Sequence, residues 1–145
     1  MILLLLFALT NGAYLAIAVS TSLEEAVLAN KICYLGGCFM PPIILFLVCS
    51  ICNYRIVPWL RCVIYIYSSI VYLGVLTIGF SNIYYDRIYL EKYADATVLG
   101  HTYGPAHKLF YIILYGYLIV QIILLVYSLV KRRVVSKYSL GALLF

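Results

Sequence analysis

Four stretches of the chain are long and apolar enough to cross a membrane, and they constrain everything else about it. They run from Ile2 to Ser20, Tyr34 to Cys52, Trp59 to Phe80 and Leu109 to Val130. A bilayer's hydrocarbon core is about 30 Å thick and takes about 20 apolar residues of helix to span. None of the four stretches holds an acid, and Arg61, near one end of the third, is their only base. Of the 145 residues, 66% are hydrophobic and 10% charged, with a mean hydropathy of +1.08. Soluble domains carry roughly 25% charged residues. A water-soluble fold would be left with large sticky patches, which excludes a soluble enzyme, a disordered tail and a small disulfide scaffold. The fold class implied is all-α: one polytopic transmembrane helical bundle with four full spans. A fifth apolar run, from Tyr138 to Phe145, is too short to cross. The chain is therefore expected to stop inside a truncated fifth helix, as a piece of a larger membrane domain.

Charge placement sets an orientation. Arg55 and Arg61 flank the connection between the second and third stretches, and Lys131, Arg132, Arg133 and Lys137 follow the fourth, with no acid among them. All five acids, Glu24, Glu25, Asp86, Glu91 and Asp95, fall in the other two connections. The positive-inside bias then makes 53–58 and 131–137 cytoplasmic, 21–33 and 81–108 external, and the N-terminus of the segment cytoplasmic. Although Ala16-Ile17-Ala18 resembles a cleavage site, the first stretch lacks a basic n-region and is longer than a signal-peptide core, so it is expected to remain as a helix. The net charge of +5 does not mark a nucleic-acid binder, since the bases are not gathered on a soluble face. No nucleic-acid partner is expected.

Chemistry is sparse within the spans. Cys49-Ser50-Ile51-Cys52 has CxxC spacing but no second pair and no nearby His to complete a zinc site. The cysteines read as small packing residues, with Cys33 the one placed near an oxidising compartment. No charged residue lies deep in a span, where proton and ion pathways usually keep one. The deepest polar groups support two readings, interhelical hydrogen bonds or a pocket for an unknown small ligand. The candidate pocket comprises Asn11, Tyr65, Ser69, Tyr72, Tyr111 and Tyr115, because Tyr65, Ser69 and Tyr72 share one helical face and Tyr111 and Tyr115 another. Gly36, Gly37, Pro41 and Pro42 form a candidate hinge, since glycines allow close approach and prolines remove amide donors; a packing kink is the plainer reading.

The connection from Ser81 to Lys108 is long for a structureless loop. Its Tyr, Ile, Val and Thr content, with Ala94-Asp95 and Gly100 as turn points, suits a short external β-hairpin. A short amphipathic helix carrying Tyr85, Tyr89 and Tyr93 is the alternative. His101 and His107 read as solvated surface histidines. There is no phosphate loop, no HExxH, no nucleophile elbow and no intramembrane acid pair. No catalytic residue, metal or cofactor is therefore expected.

The order of features resembles a known family. The first stretch ends in Ser20-Thr21-Ser22-Leu23-Glu24-Glu25; Tyr34-Leu35-Gly36-Gly37 leads to Pro41-Pro42 and Leu45-Phe46; Tyr103-Gly104-Pro105 precedes Leu109-Phe110-Tyr111; and Lys131-Arg132-Arg133 closes the fourth stretch. From about Ala8 to Lys137 this resembles the seven-helix N-terminal membrane region of bacterial sensor histidine kinases and diguanylate cyclases. Where the family often has an Asn-Pro…His turn, Ser81-Asn82-Ile83-Tyr84 stands here. The resemblance implies that the four spans are the second to fifth of seven, in a bacterial inner membrane. It also implies a cytoplasmic output module, kinase or cyclase, on the same polypeptide. The expected function is then a non-catalytic sensor, partnered by the lipid bilayer, that output module and an unknown small ligand, with a homodimer as an open arrangement. A small multi-span transporter or a structural subunit of a membrane complex is the alternative.

Overall fold

The computed structural model describes residues 1–94 and 96–131. Its elements are α1 (Ile2–Val19), α2 (Leu23–Ile51), α3 (Pro58–Leu76), an antiparallel pair β1 (Tyr85–Tyr93) and β2 (Ala96–Tyr103), and α4 (His107–Val130). All four helices are long and apolar enough to cross a membrane. Their outward faces are apolar: Leu4, Phe7 and Leu15 on α1, Ile66, Ile70 and Leu73 on α3, and Ile119, Ile123 and Val126 on α4 are all exposed. So much contiguous apolar surface is tolerated only against lipid. The chain is an integral membrane protein. The truncated fifth helix expected at Tyr138–Phe145, and Arg132, Arg133 and Lys137, lie outside the described residues.

The second helix starts eleven residues earlier than its apolar run. The expected connection at 21–33 shrinks to residues 20–22, because Ser22 opens a capping box. Its side chain accepts from Glu25 N at 3.3 Å while the Glu25 carboxylate accepts from the Thr21 and Ser22 amides at 2.9 and 3.3 Å. These bonds satisfy otherwise orphaned donors at the helix start. The resulting 29-residue helix is about 43 Å long, so its first turns project beyond a hydrocarbon core. We expect Ser22→Ala to cost about 1 kcal/mol, as a lowered melting temperature of the detergent-solubilised protein; no change would mean Glu25 alone holds the turn.

Helix α2 is the spine of the fold and continues unbroken through Pro41 and Pro42. Each proline removes a helical donor, here those for the carbonyls of Gly37 and Cys38. Across the gap, Gln121 Nε2 of α4 donates to Pro41 O at 3.1 Å. Gly36 and Gly37 let other elements approach: a Cβ on Gly36 would run into Thr10 Oγ1 of α1, and one on Gly37 would lie 3.2 Å from the Phe110 ring of α4. Pro58 begins α3 at a position where its missing N–H is harmless, and Tyr67 OH of α3 donates to Leu109 O of α4 at 3.0 Å.

The hairpin covers one end of the helices. Of the two readings left open for 81–108, the strand reading is the one observed, and the chain reverses through Ala94 at φ +50°. Gly100 lies inside β2 rather than at a turn. It pairs with Tyr89, whose ring occupies the place a Cβ would take, an aromatic cover over a strand glycine. A bulge between Tyr85 and Arg87 adds one residue and shifts the alternation. Tyr85, Ile88 and Leu90 thus turn inward with Thr97 and Leu99. Thr97 Oγ1 donates to Ser20 O at 3.0 Å, tying β2 to the end of α1. The core gathers at this end, around Ala26, Ala29, Val75, Ile78, Tyr84 and Ile113.

Candidate functional site

A cavity of about 660 Å³ opens beneath the hairpin, within the 300–1,000 Å³ typical of small-molecule sites. Helix α2 forms its back with Asn30, Cys33, Tyr34, Gly37 and Met40. Three of these recur at the i, i+4, i+7 spacing of one helical face. Helix α1 supplies Thr10, Tyr14, Ile17 and Ala18; α4 supplies Phe110 and Leu114; β2 roofs it with Thr97, Val98, Leu99, His101 and Tyr103, and Tyr85 of β1 completes the wall. No Asp, Glu, Lys or Arg lines it among the described residues.

Aromatic rings build the inner wall. The Tyr34 ring meets Phe110 edge-on at 4.9 Å and Tyr84 at 5.4 Å, while its hydroxyl shares a 2.7 Å hydrogen bond with that of Tyr85. Tyr85 stacks on His101 at 4.2 Å, and Tyr103 stacks on His107 at 4.0 Å. Such pairs hold ring orientation as well as burying area. Burial raises the Tyr84 and Tyr85 hydroxyls above the ordinary tyrosine range, so both remain neutral donors at physiological pH. His107 is only 2% exposed, which corrects its reading as a solvated surface histidine. Its ring is enclosed by Tyr84, Tyr103 and Tyr111. Cys33 is buried as well, with a free thiol.

The six residues picked from the sequence do not meet in this cavity. Asn11 is exposed and its Nδ2 donates to Phe7 O of its own helix at 2.8 Å. Ser69 likewise donates to Tyr65 O at 2.8 Å. Tyr65 packs on Phe46 and Tyr72 on Phe39, both on α2. Tyr111 reaches the aromatic cluster from its far side, stacked on the exposed Tyr115 at 5.8 Å. Around them α4 contains a π-helical turn at Ile112–Gly116, a distortion found frequently at functional sites. The residues that do line the cavity were partly legible: the Ser22-x-x-Glu25 box extends α2 far enough to put Asn30 and Tyr34 on one face.

A helical membrane bundle with a hairpin-roofed, uncharged, aromatic cavity defines the class: a polytopic membrane protein built around a small-molecule-sized recess. The whole chain, residues 1–145, matches the family model described as the N-terminal 7TM region of histidine kinase, and it belongs to that family. It is thus a transmembrane sensor region of the histidine kinase type. No curated protein and no solved structure matches the chain.

Proposed function

We propose that this chain is a non-catalytic input region in which occupancy of the hairpin-roofed cavity biases the packing of α1, α2 and α4, and that the bias passes to a cytoplasmic output module on the same polypeptide. The observation carrying this reading is that one recess is walled by three membrane helices and the hairpin together. A bound molecule would therefore touch α1, α2, α4 and the hairpin at once. A ligand shifts such an equilibrium only by its difference in affinity for the two packings. The positive-inside bias supports an orientation with the hairpin outside and Arg55 and Arg61 inside, in a bacterial inner membrane. At Gly36 and Gly37, side chains of α1 and α4 come up against α2, and with Pro41 and Pro42 these glycines form the region where the outer half of α2 would yield. A homodimer would let the change in one bundle act on paired output modules.

The test fills the cavity in the full-length protein. Leu114→Trp adds bulk to the recess lining, while Leu118→Trp, exposed on the same helix but outside that lining, is the control. A bias of about 1.4 kcal/mol changes the ratio of two packings tenfold, so autophosphorylation in membrane vesicles should move by about that factor with Leu114→Trp and stay level with Leu118→Trp. Equal output from both variants and wild type would overturn the reading. Substrate flux through vesicles holding the chain, with output unmoved, would favour the transporter alternative.

A further inference from the structure

The cavity's chemistry narrows what it can hold. A charged molecule would leave water for a recess whose lining holds no ionised partner among the described residues, at a desolvation cost left unpaired there. The donors available are neutral. Asn30 Nδ2 is buried beside the Tyr85 hydroxyl, and its two N–H groups leave at least one free to donate elsewhere. The Tyr34 and Tyr85 hydroxyls carry two protons between them and use one in their mutual bond, which leaves one to donate. These groups together present donors to an acceptor oxygen, and Phe110, Leu114, Met40 and Ile17 surround them with apolar surface.

The walls also fix a route. The hairpin roof is tied to the end of α1 through Thr97 and Ser20, and α2 closes the back. On the remaining side, Tyr14 of α1 and Leu114 of α4 line the recess and are themselves exposed, and both lie within the apolar spans. A water-soluble molecule would have to pass the roof; a lipid-soluble one would not.

We propose that the cavity takes an uncharged amphiphile carrying a hydrogen-bond-accepting carbonyl oxygen, and that it arrives laterally from the bilayer between α1 and α4. The proposal rests on the cavity being the input site, and names the class of molecule for it. The test uses benzophenone, an uncharged aromatic ketone that labels neighbouring C–H bonds under light, and 4-benzoylbenzoate as its charged analogue. Both are applied to the full-length protein in membrane vesicles. Benzophenone should label peptides containing Met40 and Leu114 about tenfold above the lipid-facing residues of α3, and Asn30→Leu should remove about that factor by deleting the donor. Benzoylbenzoate should label them no more than α3. Uniform labelling of all helices, equal labelling by the carboxylate, or indifference to Asn30→Leu would each overturn the proposal. Autophosphorylation followed in the same vesicles separates the two readings. Site-specific labelling that leaves output unmoved supports the ligand class and overturns the sensing role. Output that responds to Leu114→Trp without site-specific labelling preserves the sensing role and overturns the ligand class.

Discussion

Gly104→Ala is expected to disrupt the hairpin end of the molecule and to lower stability by about 3 kcal/mol, at the upper end of what overpacking usually costs. A Cβ at this buried position would lie 2.5 Å from Ile83 O and 2.6 Å from Asn82 O. Both atoms are backbone, so no side chain can swing aside. Nor is the backbone free to retreat, because Gly104 N donates to Tyr84 O at 2.9 Å and Ala106 N to Ile83 O at 3.0 Å. These two bonds clamp the segment leaving β2 against the segment entering β1. Tyr103 and His107 flank the clamp, so the stacked pair and the cavity roof should loosen with it. The expected outcome is a lowered melting temperature in detergent, with new proteolytic cleavage between residues 85 and 103. Gly12→Ala serves as contrast. Nothing lies within 4 Å of a Cβ there, and an alanine in a helix interior is favoured over glycine by roughly 0.5–1 kcal/mol. Equal melting temperatures for the two variants would show that the clamp contributes little.

The spans and their approximate ends were legible because lipid imposes a length and a composition that no soluble segment shares. The start of α2 was not, because hydropathy reports what faces lipid rather than what is helical. Residues 21–33 hold Glu24, Glu25, Asn30 and Lys31 and look like a loop on that scale, yet the capping box continues the helix through them. Lys31 then lies over the Phe80 ring at 4.8 Å, at the end where α3 leaves the bundle. The local signal was present in Ser22-x-x-Glu25 and outweighs the polar composition.

The cavity was harder to see, for two physical reasons. Polar side chains inside an apolar helix bond their own backbone when no partner is near, as Asn11, Ser69 and Thr10 do with Phe7, Tyr65 and Leu6. Polarity within a span therefore does not mark an interior site. The second reason is the bulge at Tyr85/Arg87. Strict alternation from Ile88 and Leu90 would turn Tyr85 outward; the extra residue brings it in, next to Tyr34 and His101. His107 reads as a surface residue beside Pro105 until the stacking on Tyr103 is known. Contacts between residues 34, 85, 101 and 107 depend on the tertiary arrangement of α2, the hairpin and α4, which no local pattern encodes.

Gly36→Ala is expected to force α1 away from α2, and Thr10→Ala in the same chain to let it return. The added Cβ would run into Thr10 Oγ1 and come within 2.9 Å of Met40 Cε. The methionine methyl is the end of a flexible chain and can move. Thr10 cannot do so freely, because its hydroxyl is held to Leu6 O at 2.8 Å and a β-branched side chain has few rotamers in a helix. Gly36→Ala alone should therefore cost about 2 kcal/mol, while Thr10→Ala alone should be nearly neutral. The double variant should recover most of the loss, giving a coupling energy of about 1–2 kcal/mol, within the range for residues in direct contact. Melting temperatures of the four proteins in one detergent provide the cycle. The cavity supplies a second readout, since Thr10 and Tyr14 lie on its α1 wall; benzophenone labelling of the Met40 peptide should fall in the single Gly36 variant and return in the double. If Gly36→Ala is neutral, the glycine is not there for helix packing. Its value would then lie in the backbone freedom it gives α2 ahead of Pro41 and Pro42, and the case for a moving outer segment would grow.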